Sequence, residues 1–283
     1  MSKHPDEFGD RMKQFEGVEA QRRFMPGLPI CARIDGRGFS KFTRGFEKPF
    51  DQHLANAMRK TTSWLVEETH AAVGYTQSDE ISLVFTPNTD DSQGFFAGRI
   101  QKLASVLASM ATVSFNHVMM ETHEEIVRKR MPLFDARVWQ VPSMAEATNT
   151  LLWRAMDAKK NGISSACRSM FSAKAMHGKS QRDMLEMMDQ AGCYYLDVYP
   201  WQDRLGVFFR RETFQAEIEQ AVWEQIPERS HATMGRMVTR SRVVPLEITR
   251  PLSEVYDRPG VLFGNTRIEY AGEGHITLDP RQD

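Results

Sequence analysis

Residues 73–85, VGYTQSDEISLVF, read as two β-prone arms around Gln77-Ser78-Asp79-Glu80. In the second arm Ile81, Leu83 and Phe85 alternate with Ser82 and Val84, the period of a strand with unlike faces. The stretch predicts a hairpin with carboxylates at its tip. Upstream, residues 28–34, LPICARI, are compact and β-prone and stop at Asp35-Gly36-Arg37-Gly38, a composition suited to a sharp turn. Between the two, Asp51 is placed to cap a helix reaching about His70, with Leu54, Ala57, Met58, Leu65 and Val66 on one face. The order strand, acidic turn, helix, carboxylate-tipped hairpin is βαβ-like and brings Asp35 and Asp79 together on neighbouring strands.

Two carboxylates so placed suit a divalent metal. Magnesium takes oxygen ligands, keeps several waters, and is commonly held by one or two carboxylates plus substrate phosphates. Phosphoryl transfer is the matching chemistry: two ions about 3.5–4 Å apart stabilise the attacking and leaving oxygens of an in-line displacement. Each motif alone is bland, because Asp-Gly and Ser-Asp-Glu turns are commonly just solvated. Gly36-Arg37-Gly38 also lacks the third glycine of a dinucleotide fingerprint. Arg99, Lys102 and Ser105 share one helix face and are spaced to meet a triphosphate, although such faces usually meet only water.

Further along, a helix is expected over 95–120, its stripe including Phe96, Ile100, Leu103, Leu107, Met110 and Val113. The uncharged run Leu103–Met120 is long enough to span a membrane, but Ser105, Ser109, Thr112, Ser114, Asn116 and His117 fit a buried helix better, so no membrane partner is expected. A strand over 134–141 and a Ser143/Glu146 capping box opening a helix toward Lys160 follow. Shorter helices are expected at 164–176 and 180–191, with Gly178 and Gly192 as C-caps. Then come a strand at 205–210, a helix at 214–225 and a β-prone tail. Without a repeat or a linker the division is approximate: 1–212 as the catalytic region with inserted helices, 213–283 as an unassigned C-terminal extension.

The composition, 283 residues with 41% hydrophobic and 26% charged, excludes a disordered or low-complexity chain. Cys31, Cys167 and Cys193 are odd in number and form no CxxC, which excludes a disulfide framework and a cysteine-rich zinc site and predicts reduced, mostly buried thiols. His117 and His123 match no metal spacing. The charged amino terminus lacks the apolar core of a signal peptide, so a cytoplasmic location is expected. A net charge of −1 argues at first against a nucleic-acid partner. Yet residues 128–182 carry eleven basic side chains against three acidic, and 183–229 carry four against ten. Near-neutrality hides a basic segment fit to meet phosphates.

The ordered set Arg33-Ile34-Asp35-Gly36-Arg37-Gly38-Phe39, Lys48-Pro49-Phe50-Asp51 and Gln77-Ser78-Asp79-Glu80 resembles the tRNA-His guanylyltransferase superfamily, the reverse-direction 3′–5′ nucleotide-adding polymerases. The likeness continues through Phe134-Asp135-Ala136-Arg137-Val138 near Pro142-Ser143, Trp153-Arg154-x-x-Asp157-Ala158 with Asn161, and Gly178-Lys179 to Arg210, spanning about residues 20–212. It implies an α+β fold, a polymerase-like palm whose ferredoxin-like antiparallel sheet packs with helices. It implies two Mg2+ ions, ATP and GTP as substrates, and tRNA or another RNA 5′ end as partner, in a homotetramer. Asp35, Asp79 and the Gly36 carbonyl match the family's metal ligands, and Glu80 a neighbouring acid needed for activity. Gly36, Arg37, Gly38, Phe39, Lys48, Asp51 and Ser78 would surround the nucleotide, and Arg99 and Lys102 would face phosphates. Arg137, Arg154, Lys159, Asn161 and Lys179 are the implied RNA contacts.

The implied reaction activates an RNA 5′-monophosphate with ATP or GTP, after which the 3′-hydroxyl of an incoming nucleotide attacks the activated end. One departure is informative. Where eukaryotic members carry His-Ile-Asn-Asn, this chain has Lys159-Lys160-Asn161-Gly162. That points to the guanylyltransferase-like branch and to templated repair of truncated tRNA 5′ ends over non-templated guanylate addition to tRNA-His. The alternatives are a palm-fold nucleotide cyclase, against which stands the lack of a GG-[DE]-[DE]-F signature, and a catalytically silent tRNA-binding module, disfavoured by the retained carboxylates.

Overall fold

A computed structural model describes residues 7–87, 95–227, 236–264, 267–271 and 275–279. Alternating apolar residues form six strands, β1 (Ile30–Arg37), β2 (Val73–Gln77), β3 (Glu80–Phe85), β4 (Leu133–Gln140), β5 (Val207–Glu217) and β6 (Met237–Leu246). They make one antiparallel sheet in the order β4-β1-β3-β2-β5-β6. The helices are α1 (Glu7–Ala20), α2 (Phe39–Phe42), α3 (Gln52–Thr69), α4 (Ile100–Arg130), α5 (Met144–Met170), α6 (Ala173–Met176), α7 (Gln181–Gln190), α8 (Tyr195–Val198), α9 (Trp201–Leu205) and α10 (Gln220–Trp223), with a further helical turn at Arg258–Phe263. A separate hairpin pairs Arg267–Ala271 with His275–Asp279.

The first four strands with α3 and α4 form a βαββαβ unit of spatial order 4-1-3-2, the ferredoxin-like arrangement. Successive strand residues point to opposite faces, so each strand feeds two cores. Ile34, Ile81, Leu83 and Phe209 pack with Leu65 of α3 and Leu107 and Phe115 of α4. Cys31, Val73, Val84 and Phe208 pack with Leu151 and Ala155 of α5. By the same alternation Asp35 and Glu80 stand on the α5 face.

Helix α4 is long and apolar enough to cross a membrane by length and composition alone, a test that buried core helices also pass. Its stripe of Leu103, Leu107, Ala111, Phe115, Met119 and Val127 is buried against the sheet and α3.

Several elements differ from expectation. Strand β1 does not stop at Asp35; it runs through Arg37, because β4 pairs with all eight of its residues. Helix α4 begins at Ile100 behind a single 3-10 turn, Phe95–Gly98, and continues to Arg130, kinked at His123, since Ile126 and Val127 extend its apolar stripe past the uncharged run. Helix α5 runs unbroken to Met170, absorbing the start of the helix expected at 164. Ser143 caps it through the Glu146 N–H, but the Glu146 carboxylate accepts from Asn149 rather than closing a capping box. The helix expected at 214–225 is strand to Glu217, followed by the short α10, because β6 pairs with it out to Met237. The sheet thus continues into the C-terminal segment.

Candidate active site

The β2–β3 turn consists of Ser78 and Asp79, flanked by the Gln77–Glu80 pair. Ser78 adopts a left-handed conformation (φ 55°), and its hydroxyl donates to Asp79 Oδ1 at 3.0 Å. The Gly36 N–H of β1 donates to the Asp79 carbonyl at 3.0 Å, tying the turn to the neighbouring strand. Asp35, one residue earlier, lies opposite Glu80 of β3 and Asp135 of β4. Burial pushes the Asp79 carboxyl above the ordinary carboxylate range; the Ser78 hydrogen bond opposes this and the charge of Asp35 adds to it.

Both carboxylates line one cavity of about 430 Å³. Its walls are the hairpin, the start of α3 with Phe50 before it, one face of α5 from Arg154 to Arg168, and Gln202 and Asp203 of α9. Glu80 is engaged from α5: Arg154 Nε and Nη2 donate to its two oxygens at 2.6 and 2.7 Å, and Arg33 Nε of β1 stands 4.0 Å away. Arg154 also bonds Asp157 at 3.1 Å and lies over the exposed Trp153 ring. Burial raises the Glu80 carboxyl against the opposing pull of Arg154. A planar guanidinium held in a bidentate pair is rigid, so Glu80 is fixed beside Asp79 and its oxygens are occupied.

The other expected residues divide. Asp51 and Asn161 line the cavity, but the Asp51 carboxylate is already committed to the Leu54 and Glu47 N–H groups as the cap of α3. Phe39 is a correction: its ring is buried among Phe42, Phe115 and Phe134 and is not available to a nucleotide. Arg154 lines the cavity, but its guanidinium is bound to Glu80 and Asp157 and only 12% of its side chain is accessible. Arg37, Gly38 and Lys48 are exposed outside the cavity, as is Lys179; Lys159 is half-buried on α5. Arg99 and Lys102 line a separate concavity with Asp135, on the β4 side of Asp35. Arg137 is exposed and stands 3.8 Å from Asp135. Sequence reasoning missed Arg59, Arg168 and Asp203, all on the cavity wall; Arg59 and Asp203 pair at 2.6 Å over 144 residues of separation, for which no local signal exists.

A family model described as tRNAHis guanylyltransferase (Thg1) matches residues 9–142, from α1 to just beyond β4. The solved structure of a bacterial tRNA-His guanylyltransferase (Thg1)-like protein in complex with ATP is similar over 91% of this chain and all of that one, at 31% identity and a TM-score of 0.73. This chain belongs to the tRNA-His guanylyltransferase superfamily. A bacterial Thg1-like protein in complex with GTP is similar over 90% of the chain at 31% identity, with a TM-score of 0.65. The tRNA-His guanylyltransferase of Schizosaccharomyces pombe is 33% identical over 155 residues, which span about half of each protein (54% of this chain and 56% of the relative). The superfamily is one of nucleotidyltransferases, and its palm-like fold is the one seen in the sheet of this chain.

Proposed function

We propose that this chain is a magnesium-dependent 3′–5′ nucleotidyltransferase that activates an RNA 5′ end with ATP or GTP and adds nucleotides to it, repairing truncated tRNA 5′ ends or adding guanylate to tRNA-His. The observation that carries the reading is the convergence of Asp35 and Asp79 on one cavity large enough for a nucleotide. Lys159 in place of the histidine of eukaryotic members favours the templated, guanylyltransferase-like branch. The expected assembly is a homotetramer.

Among the described residues no three His, Cys, Asp or Glu side chains converge, so the protein offers two carboxylates and backbone oxygen, a set that suits magnesium with its retained waters and phosphate ligands. Asp79 supports the fit, because a carboxyl pushed up by burial and a like charge gains most from a cation beside it. Asp35, Asp79 and the Gly36 carbonyl would hold the ions. The chemistry that magnesium supplies when bound there is neutralisation of phosphate charge and a lowered pKa of the attacking hydroxyl.

The chain itself contributes position rather than a nucleophile. Ser78 orients Asp79, the Gly36 N–H fixes the turn, and Arg154 holds Glu80. Activation joins the nucleotide α-phosphate to the RNA 5′-phosphate and releases pyrophosphate; attack by the incoming 3′-hydroxyl then expels the activating nucleoside monophosphate, whereas an RNA already bearing a 5′-triphosphate skips activation and expels pyrophosphate. Arg99 and Lys102 would meet phosphates in their separate concavity, which Asp135, the β4 residue paired with Asp35, also lines. The test is incorporation of labelled GTP into the 5′ end of a tRNA lacking its first nucleotide, with magnesium present and after its removal by chelation. Magnesium-dependent incorporation is expected, and the absence of incorporation with any tRNA would refute the reading.

A further inference from the structure

The cavity lining divides by chemistry. On one side β1 and the hairpin supply Asp35, Asp79 and Glu80, and α5 supplies Arg154; on the other Pro49, Phe50, Leu54 and Met58 form an apolar wall beside the cap residue Asp51. On that apolar side stands one ion pair, Arg59 of α3 with Asp203 of α9. Asp203 is only 2% accessible, and both its oxygens are taken: Oδ1 accepts from Arg59 Nη2 at 2.6 Å and Oδ2 from Gln52 Nε2 at 2.7 Å. Arg59 remains 26% accessible, and its other N–H donors have no hydrogen-bond partner among the described residues. A buried ion pair is costly to desolvate and is weak evidence for stability by itself. What this one does is fix the plane of a guanidinium on the wall of an apolar slot with donors to spare.

Such a fork matches two adjacent acceptors. Guanine offers O6 and N7 together, while adenine places its N6 donor where O6 would be. Resting on the nucleotide-site reading above, we propose that Arg59, positioned by Asp203, selects guanine over adenine in this pocket. Arg59 is the group that touches the base; Asp203 and Gln52 position it.

The test is equilibrium binding of GTP, ATP and 7-deaza-GTP, which lacks the N7 acceptor, to the full-length chain and two variants. Arg59→Lys keeps a cation for Asp203 but removes the planar fork. The double variant Arg59→Met with Asp203→Asn removes the ion pair without leaving a buried charge unpartnered, which guards against simple misfolding. The wild type is expected to prefer GTP over ATP and over 7-deaza-GTP by on the order of tenfold; both preferences should collapse in the folded double variant and weaken in Arg59→Lys, whose ammonium can still donate to O6 or N7 without the planar fork. Unchanged preferences in the variants would overturn the inference. Equal wild-type affinity for GTP and ATP would overturn it while leaving the nucleotide-site reading intact, and no wild-type binding of either nucleotide would remove both.

Discussion

At the scale of single residues, the site is a pair of carboxylates held close without compensation from a cationic side chain, since Arg154 is committed to Glu80. Asp79 therefore carries a stability cost with a definite sign. Its folded pKa is raised, so its contribution favours the folded state below the pKa of the unfolded chain and is lost as pH rises through the folded value. At neutral pH without divalent cations, Asp79→Asn should raise the melting temperature by a few degrees while abolishing nucleotide addition; an unchanged or lowered Tm by calorimetry would contradict the electrostatic account. Arg154 makes the opposite case. Arg154→Ala strands the mostly buried Glu80 carboxylate and should cost roughly 3 kcal/mol in denaturant melts, with Arg154→Lys recovering part of the loss. Asp35 and Asp79 are legible in the sequence because each sits in a short contiguous motif. The partners of Glu80 and Asp203 are not, because Arg154 and Arg59 lie 74 and 144 residues away and only the folded sheet brings them in.

At the scale of elements, α5 decides how the cavity is closed. Its C-terminal half approaches α8 and α9 at Gly162, where a Cβ would meet the Tyr195 hydroxyl at 2.8 Å and the Arg204 carbonyl oxygen at 3.2 Å. Gly162→Ala should separate α5 from the segment that carries Asp203, costing about 1–3 kcal/mol of stability and weakening GTP binding, as thermal melts and titration would show. The hairpin, β1, α3 and α4 are legible because their alternation or helical stripe is strong. The helix expected at 214–225 is a misreading, because its sequence suits either state and the pairing of Phe214 with Arg240 and its neighbours decides for strand. Local sequence likewise predicts too short an α5: Asn161-Gly162 looks like a break, yet here glycine serves the close approach of a helix to its neighbour.

At the scale of the molecule, the charge segregated along the chain is only partly free in the fold. Of the basic residues in 128–182, Arg130 is spent on the carbonyls of residues 41, 42 and 44, Arg154 on Glu80, and Arg182 on Glu186. Lys129, Lys160, Arg168, Lys174 and Lys179 remain exposed, and of these Lys160, Lys174 and Lys179 are taken as candidates for phosphate contact. Replacing all three by alanine should weaken tRNA binding evenly across sequences and flatten its log–log salt dependence by about one for each phosphate no longer neutralised, measured by fluorescence anisotropy across a KCl series. The overall charge of −1 is thus misleading and its distribution informative. The central claim, that Asp35 and Asp79 together form the centre at which a nucleotide meets an RNA 5′ end, is tested most directly by mass spectrometry of a 5′-monophosphorylated tRNA incubated with ATP, magnesium and the protein. The account predicts an adenylylated 5′ end with the wild type, reduced on the order of a hundredfold or more in Asp35→Ala and in Asp79→Ala. No adduct with the wild type, or undiminished adduct with either variant, would contradict it.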